Sequence, residues 1–217
     1  MKNLIKLFIY KVLVRPWLKL IIGVRIENES ILDNIDQFII VANHNSHFDS
    51  VAIISALPSS KLKTTRSVAS GDYFGKTSFK SKLTNFFFNA ILVKHKKTNA
   101  DLSAIETLDK ELKNGTSLLL FPEGSRGKPG VMKDFKSGIA VLLKNNPHIP
   151  FIPVYLDGFG RVLPKDKTLI IPMVCKVRFG EPKYIQFPEI DMILDEVKEA
   201  IMTLKDKDER DRNTFEF

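Results

Sequence analysis

Short apolar runs, each followed by a polar loop, predict the strands of this chain. Residues 38–42 (Phe-Ile-Ile-Val-Ala) form one such run and residues 116–121 (Thr-Ser-Leu-Leu-Leu-Phe) form another. Residues 150–156 and 173–179 have the same character. Apolar runs of this length, bounded by turn residues, are typical of strands that are buried on both faces of a sheet. The pattern therefore predicts an α/β domain whose functional site lies at the strand ends.

Apolar residues at helical spacing predict the helices between and after these strands. Helices are expected from residue 48 to about 56, from about 100 to 113, and from about 135 to 144. A C-terminal amphipathic helix is predicted from one apolar face, which consists of Ile190, Ile193, Leu194, Val197 and Ile201. Residues 205–217 are largely charged and are expected to form a frayed tail.

Polar residues after the first strand suggest general-base chemistry. His44 comes just past the strand end, and Asp49 lies in the first turn of the next helix, where the helix dipole favours a carboxylate. The five-residue spacing allows Asp49 to accept the ring N–H of His44, which leaves the other ring nitrogen able to take a proton. The alternative is a simple polar loop in which Asn45 or Ser46 caps the helix. Since the pair lies in a loop, substitutions there are expected to leave folding intact.

A second polar loop, Pro-Glu-Gly-Ser-Arg-Gly at residues 122–127, follows the second strand. Together the two loops resemble the glycerolipid acyltransferase superfamily, typified by bacterial 1-acylglycerol-3-phosphate acyltransferases. The family pattern of Asn-His, four residues and Asp is matched, as is its Phe-Pro-Glu-Gly-Ser-Arg pattern. The matching positions are Asn43, His44 and Asp49, then Phe121 to Arg126, then Phe135, Lys136 and Gly138, and finally Ile152, Pro153 and Val154. The resemblance covers roughly residues 12–185.

The resemblance implies a fold and a reaction. The expected fold is α/β, a single mixed β-sheet domain flanked by helices, with an N-terminal membrane-docking helical segment. The expected reaction belongs to phospholipid biosynthesis: an acyltransferase moves a fatty acyl group from a thioester to the free hydroxyl of lysophosphatidic acid. No cofactor is implied beyond acyl-CoA or acyl carrier protein as the acyl-bearing co-substrate. Acylation of another lysophospholipid, including an amino-acid-linked one, and a catalytically silent membrane-bound relative remain as alternatives.

The resemblance also assigns roles to individual residues. His44 is expected to be the general base and Asp49 its orienter. Arg126 is the first choice for the acceptor phosphate, and Glu123 is expected to hold either Arg126 or the acceptor hydroxyl. The motif's other substrate-binding candidates are Gly124, which allows the backbone to approach the ligand, and Ser125. The second family motif ends in an arginine, but residues 92–96 here read Leu-Val-Lys-His-Lys. His95 most nearly occupies the arginine position, and a one-residue shift would place Lys94 or Lys96 there.

Composition limits which metal, disulfide and nucleotide-binding sites the chain can form. The chain has 217 residues, enough for one domain, and its single cysteine, Cys175, excludes a disulfide framework and a cysteine-rich zinc site. The four histidines form no helical metal-binding pair, so no metal is expected. Gly75-Lys76-Thr77 suggests a P-loop, but Ser70 stands where its first glycine is required. The three phenylalanines at 86–88 suit either the core or an acyl-chain channel.

The formal charge of +8 is concentrated at the N-terminus, since residues 1–26 carry six basic residues and no acid. The longest uncharged run there, residues 20–24, is too short to span a membrane. Because leucines and isoleucines separate the basic residues, an anionic membrane surface is a better partner than nucleic acid. Two docking helices divided at Pro16 are predicted over residues 1–26, an acyltransferase domain over 27–204 and a charged tail over 205–217. The expected location is peripheral or monotopic, on the cytoplasmic face of the membrane. The alternative is an N-terminal helix packed on the core.

Overall fold

One mixed β-sheet forms the centre of the molecule. The computed structural model describes residues 2–46, 48–70, 90–93, 100–128, 130–162 and 174–214. Within these residues, seven strands pair in the order β1-β7-β6-β2-β5-β3-β4, and all neighbours are parallel except β6 and β7. The strands are β1 (Val24–Glu27), β2 (Ile39–Ala42), β3 (Thr65–Ser70), β4 (Ile91–Val93), β5 (Ser117–Leu120), β6 (Phe151–Asp157) and β7 (Cys175–Phe179).

Helices cover both faces of this sheet. They are α1 (residues 2–22), α2 (Phe48–Ala56), α3 (Lys61–Thr64), α4 (Ala100–Lys113), α5 (Ser137–Asn145), α6 (Phe159–Val162) and α7 (Ile190–Thr214), with a 3-10 helix at Glu29–Asn34. Side chains of α1, α2 and α6 form the core on one face, and side chains of α4, α5 and α7 form the core on the other. The predicted fold class, a single mixed sheet flanked by helices, is confirmed.

The central strand β2 belongs to both cores. Its alternate residues point to opposite faces, so that Ile40 and Ala42 join one core while Ile39 and Val41 join the other. All four side chains are fully buried. Burial of a large aliphatic side chain is worth roughly 1.5–3 kcal/mol, so β2 is held firmly on both sides. The loop that carries His44 therefore begins from a rigid strand end.

The predicted strands at 38–42, 116–121, 150–156 and 173–179 correspond to β2, β5, β6 and β7. The helices predicted from residue 48, from about 100 and from about 135 correspond to α2, α4 and α5, and the C-terminal helix α7 extends to Thr214. Strands β1, β3 and β4 were not predicted. Phe86–Phe88 and the Gly75-Lys76-Thr77 sequence lie outside the described residues.

The N-terminal segment forms one helix, and the predicted division at Pro16 is wrong. Residues 2–22 are helical without a break, with two stretches of wider i→i+5 winding, Ile9–Val14 and Leu18–Ile22. In a regular α-helix the proline ring would clash with the carbonyl four residues earlier, and the wider turn before Pro16 gives it room. The helix ends at Gly23, whose positive φ of 81° suits glycine.

One side of α1 is part of the domain core. Tyr10, Leu18 and Ile22 are each only 1% exposed. The next residues form β1, which pairs in parallel with β7. The domain boundary predicted between residues 26 and 27 therefore falls inside a strand of the sheet. Consequently α1 and the sheet share one core.

Three basic residues of α1 contact the protein itself. Lys6 donates to the carbonyl of Leu62 at 3.5 Å, and Lys11 donates to the carbonyls of Ser55, at 3.3 Å, and Leu57. Arg15 forms an ion pair with Glu29. Lys19 and Arg25 are exposed. The basic composition of this segment is therefore only partly available to a membrane.

The opposite side of α1 carries large apolar side chains in contact with solvent. We call this set the exposed apolar face: Leu4, Ile5, Phe8, Val12, Leu13, Trp17, Leu20 and Ile21, each between 39% and 79% exposed. Large contiguous apolar patches on a protein surface usually mark an interaction site.

The burial of Lys6 leads to a pH-dependent stability prediction. Burial, reinforced by the positive charge of Arg66, lowers the pKa of Lys6 to about 8. At pH 7 both the folded and the unfolded chain carry this charge, so the folded state bears the full desolvation penalty. As the pH rises through the folded pKa, the folded state releases the proton first and the penalty shrinks. Lys6→Met should therefore raise the melting temperature at pH 7 by a few degrees, because about 1 kcal/mol shifts it by roughly 2–4 °C.

The gain from Lys6→Met should be clearly smaller at pH 9.5. Melting curves of the wild type and the variant at pH 7.0 and 9.5 provide the measurement. The control is Lys63→Met, which removes an exposed lysine. An equal gain at both pH values would contradict the role assigned to the buried charge.

Candidate active site

His44 and Asp49 contact each other at the carboxyl end of β2. The Nδ1 atom of His44 lies 2.8 Å from Oδ2 of Asp49. The same oxygen accepts the backbone N–H groups of Asn45, at 2.7 Å, and Ser46, at 2.8 Å. Asp49 is the second residue of α2, where the helix dipole stabilises its negative charge. The structure thus places the two residues as their five-residue spacing predicted.

This contact determines which ring nitrogen of His44 is basic. A carboxylate oxygen only accepts hydrogen bonds, so Nδ1 carries the proton and Nε2 keeps a lone pair. The ring is also stacked on Phe121, with 4.1 Å between centroids and 22° between planes. Its side chain is 19% exposed. The imidazole is therefore held in one orientation and remains accessible.

Asp49 is more deeply buried than its position in a polar loop suggested. Its side chain is fully buried, and its Oδ1 atom has no hydrogen-bond partner among the described residues. This burial argues against the expectation that substitution of Asp49 leaves folding intact, because a buried group that loses a partner is costly. The expectation holds better for His44, whose ring lies nearer the surface.

Helix capping and the His44–Asp49 contact occur together. Ser46 accepts the N–H of Phe48 through its hydroxyl at 3.3 Å, at the first residue of α2. This is the capping that the simpler interpretation proposed. Because Ser46 binds the N–H of Phe48, Asp49 binds the N–H groups of Asn45 and Ser46. Capping by Ser46 is therefore compatible with the His44–Asp49 pair.

Asn43 joins the end of β2 to the neighbouring strand β6. Its amide nitrogen donates to the carbonyl of Leu156 at 2.9 Å, and its amide oxygen accepts the N–H of Leu156 at 2.7 Å. The residue is only 3% exposed. This reciprocal pair fixes the position of the residue directly before His44. The sequence pattern placed Asn43 in a motif but gave no reason for it.

Glu123 holds the backbone of His44. One carboxylate oxygen accepts the N–H of His44 at 2.8 Å, and the other accepts the N–H of Lys133 at 3.0 Å. The N–H of Gly127 donates to the His44 carbonyl at 2.9 Å. The loop after β5 therefore grips both polar backbone groups of His44, a contact that the sequence did not predict.

Two opposing effects act on the pKa of the Glu123 carboxyl group. Burial raises the pKa of its carboxyl group, while the hydrogen bonds from the N–H groups of Lys133 and His44 oppose that rise. With 2% of the residue exposed, the carboxylate lies within the protein. Its position indicates that Glu123 positions the His44 loop.

The remaining predicted substrate-binding residues lie on the same loop or outside the described residues. Gly124 and Ser125 are exposed and Arg126 is half-buried. The Lys133 ammonium donates to the Ser125 hydroxyl at 3.1 Å and to the Arg126 carbonyl at 2.8 Å, which fixes the loop. Sequence reasoning did not identify Lys133. Lys94 and His95 lie outside the described residues, and their roles stay predictions.

The arrangement suits proton transfer. A fixed imidazole with an ionised orienter can take a proton from a hydroxyl group, which makes that hydroxyl a better nucleophile. In the described part of the chain, no group of three or more His, Cys, Asp and Glu side chains could hold a metal ion.

Comparison with known proteins identifies the family. The family model described as Acyltransferase matches residues 23–157, which include both loops of the site. This chain belongs to the acyltransferase family. The match covers more than half of the chain and ends at the last residue of β6.

Individual relatives are more distant. The chain is 27% identical over 135 residues to a probable 1-acyl-sn-glycerol-3-phosphate acyltransferase of Mycoplasma genitalium, covering 60% of this chain and 48% of the relative. It is 23% identical over 172 residues to 1-acyl-sn-glycerol-3-phosphate acyltransferase alpha of Mus musculus, covering 77% of this chain and 58% of the relative. The acyltransferase-family chain therefore spans about half the length of these curated relatives.

A solved structure shares the fold. The crystal structure of the 1-acyl-sn-glycerophosphate (LPA) acyltransferase PlsC from Thermotoga maritima superposes with a TM-score of 0.67 and 22% sequence identity. The alignment covers 83% of this chain and 69% of that chain. At this sequence identity, the similarity shows a shared fold alone.

Glu123→Gln tests whether the hydrogen bond from the His44 N–H to Glu123 positions His44 for catalysis. A carboxamide offers one oxygen where the carboxylate offered two, so one of the two N–H groups then faces an NH₂ group. We expect a stability loss of about 1–3 kcal/mol and a fall in kcat of roughly 10-fold or more, since small displacements of reacting groups are costly. Melting temperature and steady-state kinetics are the measurements. Glu106→Gln, on the exposed side of α4, is the control. An unchanged kcat would remove the positioning role.

Proposed function

We propose that this acyltransferase-family chain acylates lysophosphatidic acid with an acyl thioester as donor, giving phosphatidic acid. The observation that carries the proposal is the His44–Asp49 pair, whose Nε2 is left basic by the Nδ1 contact with Asp49 at 2.8 Å. The relatives named 1-acyl-sn-glycerol-3-phosphate acyltransferase support the choice of acceptor.

The proposed step is direct transfer between the two substrates. Nε2 of His44 removes the proton from the acceptor hydroxyl. At the same time the hydroxyl oxygen of the acceptor bonds to the thioester carbonyl carbon. The carbon–sulfur bond then breaks, and the thiolate takes the proton from His44. A covalent intermediate on Cys175 is disfavoured, because burial, assisted by the charge of Asp157, raises the pKa of that thiol to about 12.

Arg126 is proposed to hold the acceptor phosphate. Guanidinium groups bind phosphate through two parallel hydrogen bonds. Arg126 is half-buried on the loop that also carries Glu123, which contacts the His44 backbone at 2.8 Å. Gly124, with a φ of 69°, allows the tight turn of this loop.

The test of this function is an acyl-transfer assay with a panel of acceptors. The purified chain is incubated with labelled acyl-CoA or acyl carrier protein thioester and with lysophosphatidic acid, lysophosphatidylglycerol, lysophosphatidylcholine or monoacylglycerol. Mass spectrometry identifies the products. Phosphatidic acid should form fastest, and Arg126→Gln should raise KM for lysophosphatidic acid without affecting monoacylglycerol. Preference for another lysolipid would replace the proposed acceptor, and the absence of any transfer would reject the enzyme.

We also propose that the exposed apolar face of α1 docks on an anionic membrane surface at the cytoplasmic side. In the described part of the chain, no helix is both long and apolar enough to cross a bilayer. The eight apolar side chains instead suit insertion into one leaflet, with Trp17 at the interface. A lipid substrate would then be reached from the surface in which the enzyme sits.

Binding to vesicles should depend more on the apolar face than on charge. Burial of a large apolar side chain is worth roughly 1.5–3 kcal/mol, whereas a basic residue near an anionic surface contributes about 1 kcal/mol. Phe8→Gln with Leu20→Gln should therefore weaken binding by about 100-fold or more. Lys19→Gln with Arg25→Gln should weaken it by about 30-fold or less. Both pairs replace exposed residues.

Vesicle sedimentation in phosphatidylglycerol and phosphatidylcholine mixtures gives the two affinities. Raising the salt concentration should weaken binding only in part, because salt screens charge and does not oppose apolar burial. Complete release in moderate salt, or equal effects of the two variants, would contradict docking through the apolar face. Deletion of residues 1–26 is not a clean test, since it removes core side chains and most of β1.

A further inference from the structure

A cavity of about 390 Å³ lies beside the His44 loop. Its wall includes Asn43 and Asn45, the two residues that flank His44 in the chain, together with Asp157 at the end of β6. The carboxyl ends of the parallel strands β2 and β6 therefore border it. Crevices at the carboxyl ends of strands are where open α/β sheets usually bind their ligands.

The cavity is lined by more positive than negative charge. Its walls carry three cationic side chains, Arg161 from α6 and Lys198 and Lys205 from α7, against one carboxylate, Asp157. The two lysines are seven residues apart, which is about two helical turns and places them on one face of α7. Formal charge on the lining is therefore +2.

Arg161 and Lys198 form weak ion pairs. Arg161 lies 3.5 Å from Asp157 and is 48% exposed, and Lys198 lies 3.9 Å from Asp134, which is fully exposed. Exposed ion pairs of this kind contribute little to stability. The ion pairs of Arg161 and Lys198 therefore do not require these two charges for the stability of the fold.

We propose that this cavity binds the phosphate group of a substrate, and specifically that of the pantetheine arm of the acyl donor. The proposal rests on the proposed function, which needs phosphate-bearing donor and acceptor. Arg126 is the candidate for the acceptor phosphate, and the cavity supplies a second cationic group next to the same His44 loop. Val131 and Met202 add apolar lining that suits the uncharged part of such an arm.

Isothermal titration calorimetry on the full chain tests the assignment. The probes are 4′-phosphopantetheine and pantetheine, which differ by one phosphate, and glycerol 3-phosphate and glycerol, which differ likewise. The variant is Lys198→Gln with Lys205→Gln. The control is Lys113→Gln with Lys144→Gln, which removes the same charge from exposed positions on α4 and α5. Arg161→Gln provides a second variant in case the double variant folds poorly.

The cavity variant should bind 4′-phosphopantetheine at least 10-fold more weakly than the wild type, while the control binds normally and pantetheine binding is unaffected. If glycerol 3-phosphate shows the selective loss instead, the phosphate site stands and its occupant is the acceptor. Equal binding by wild type and variant, equal losses in the control, or no binding of either phosphate probe would overturn the site. Acyl transfer is assayed separately, so that a chain that binds phosphate without transfer rejects only the enzymatic function.

Discussion

His44→Ala is expected to lower kcat for acyl transfer by about 10²–10⁴-fold, the usual contribution of a positioned general base. The reason is that Nε2 of His44 is the basic nitrogen of the pair, and alanine leaves the acceptor hydroxyl without a proton acceptor. The melting temperature should change little, because the ring is partly exposed and Asp49 retains the N–H groups of Asn45 and Ser46. Steady-state kinetics with lysophosphatidic acid and a melting curve give both values.

His148→Ala serves as the matched control, since His148 is exposed in the loop after α5. It should leave both kcat and melting temperature unchanged. If His44→Ala retains near-normal turnover, then proton removal is performed elsewhere and the assignment fails.

Asp49→Asn should lower kcat by a similar factor of roughly 10²–10⁴ and should also destabilise the fold. The carboxamide keeps one oxygen for the donors now bound by Oδ2, and its NH₂ group takes the place of Oδ1, which has no partner among the described residues. A donor buried there without an acceptor costs about 1–3 kcal/mol. The uncharged oxygen also stabilises the protonated imidazole less than a carboxylate does.

The measurement for Asp49→Asn combines kcat with chemical or thermal unfolding. Asp33→Asn, an exposed position in the 3-10 helix, is the control and should change neither quantity. Normal turnover together with lowered stability would show that Asp49 serves only the fold. Unchanged stability would instead show that the buried site tolerates an amide.

The parts of the site that could be predicted are those set by local sequence. His44 and Asp49 are five residues apart, and a strand end followed by a helix start leaves few ways to arrange them. The apolar runs that became β2, β5, β6 and β7 are also local signals, because strands buried on both faces require them. These runs were enough to predict the sheet and the polar loops at the carboxyl ends of its strands.

The contacts that hold the site together could not be predicted, because they join residues far apart in the chain. Asn43 and Leu156 are separated by 113 residues, and His44 and Glu123 by 79. Neither partner carries a local signal for the other. The resemblance marked Glu123 as functional, but its contact with the His44 backbone is a property of the folded chain.

The N-terminal segment shows the same limit. Its spacing of basic and apolar residues suggested a membrane-facing element divided at Pro16, whereas residues 2–22 form one helix with one side in the core. The short strand β1 has charged and apolar residues in alternation. Its pairing with β7 decides its structure, and no periodicity in Val24–Glu27 reveals that partner.

The pairing of β1 with β7 has a consequence for the newly made chain. Val24 is paired with Cys175, so β1 is synthesised 151 residues before its partner strand. At synthesis rates of about 5–20 residues per second, the interval is roughly 8–30 s. Throughout it, β1 has no partner strand, because β7 is its neighbour in the described sheet. The sheet edge formed by β1 is therefore completed only after the strands that carry the His44 loop and the Glu123 loop have been made.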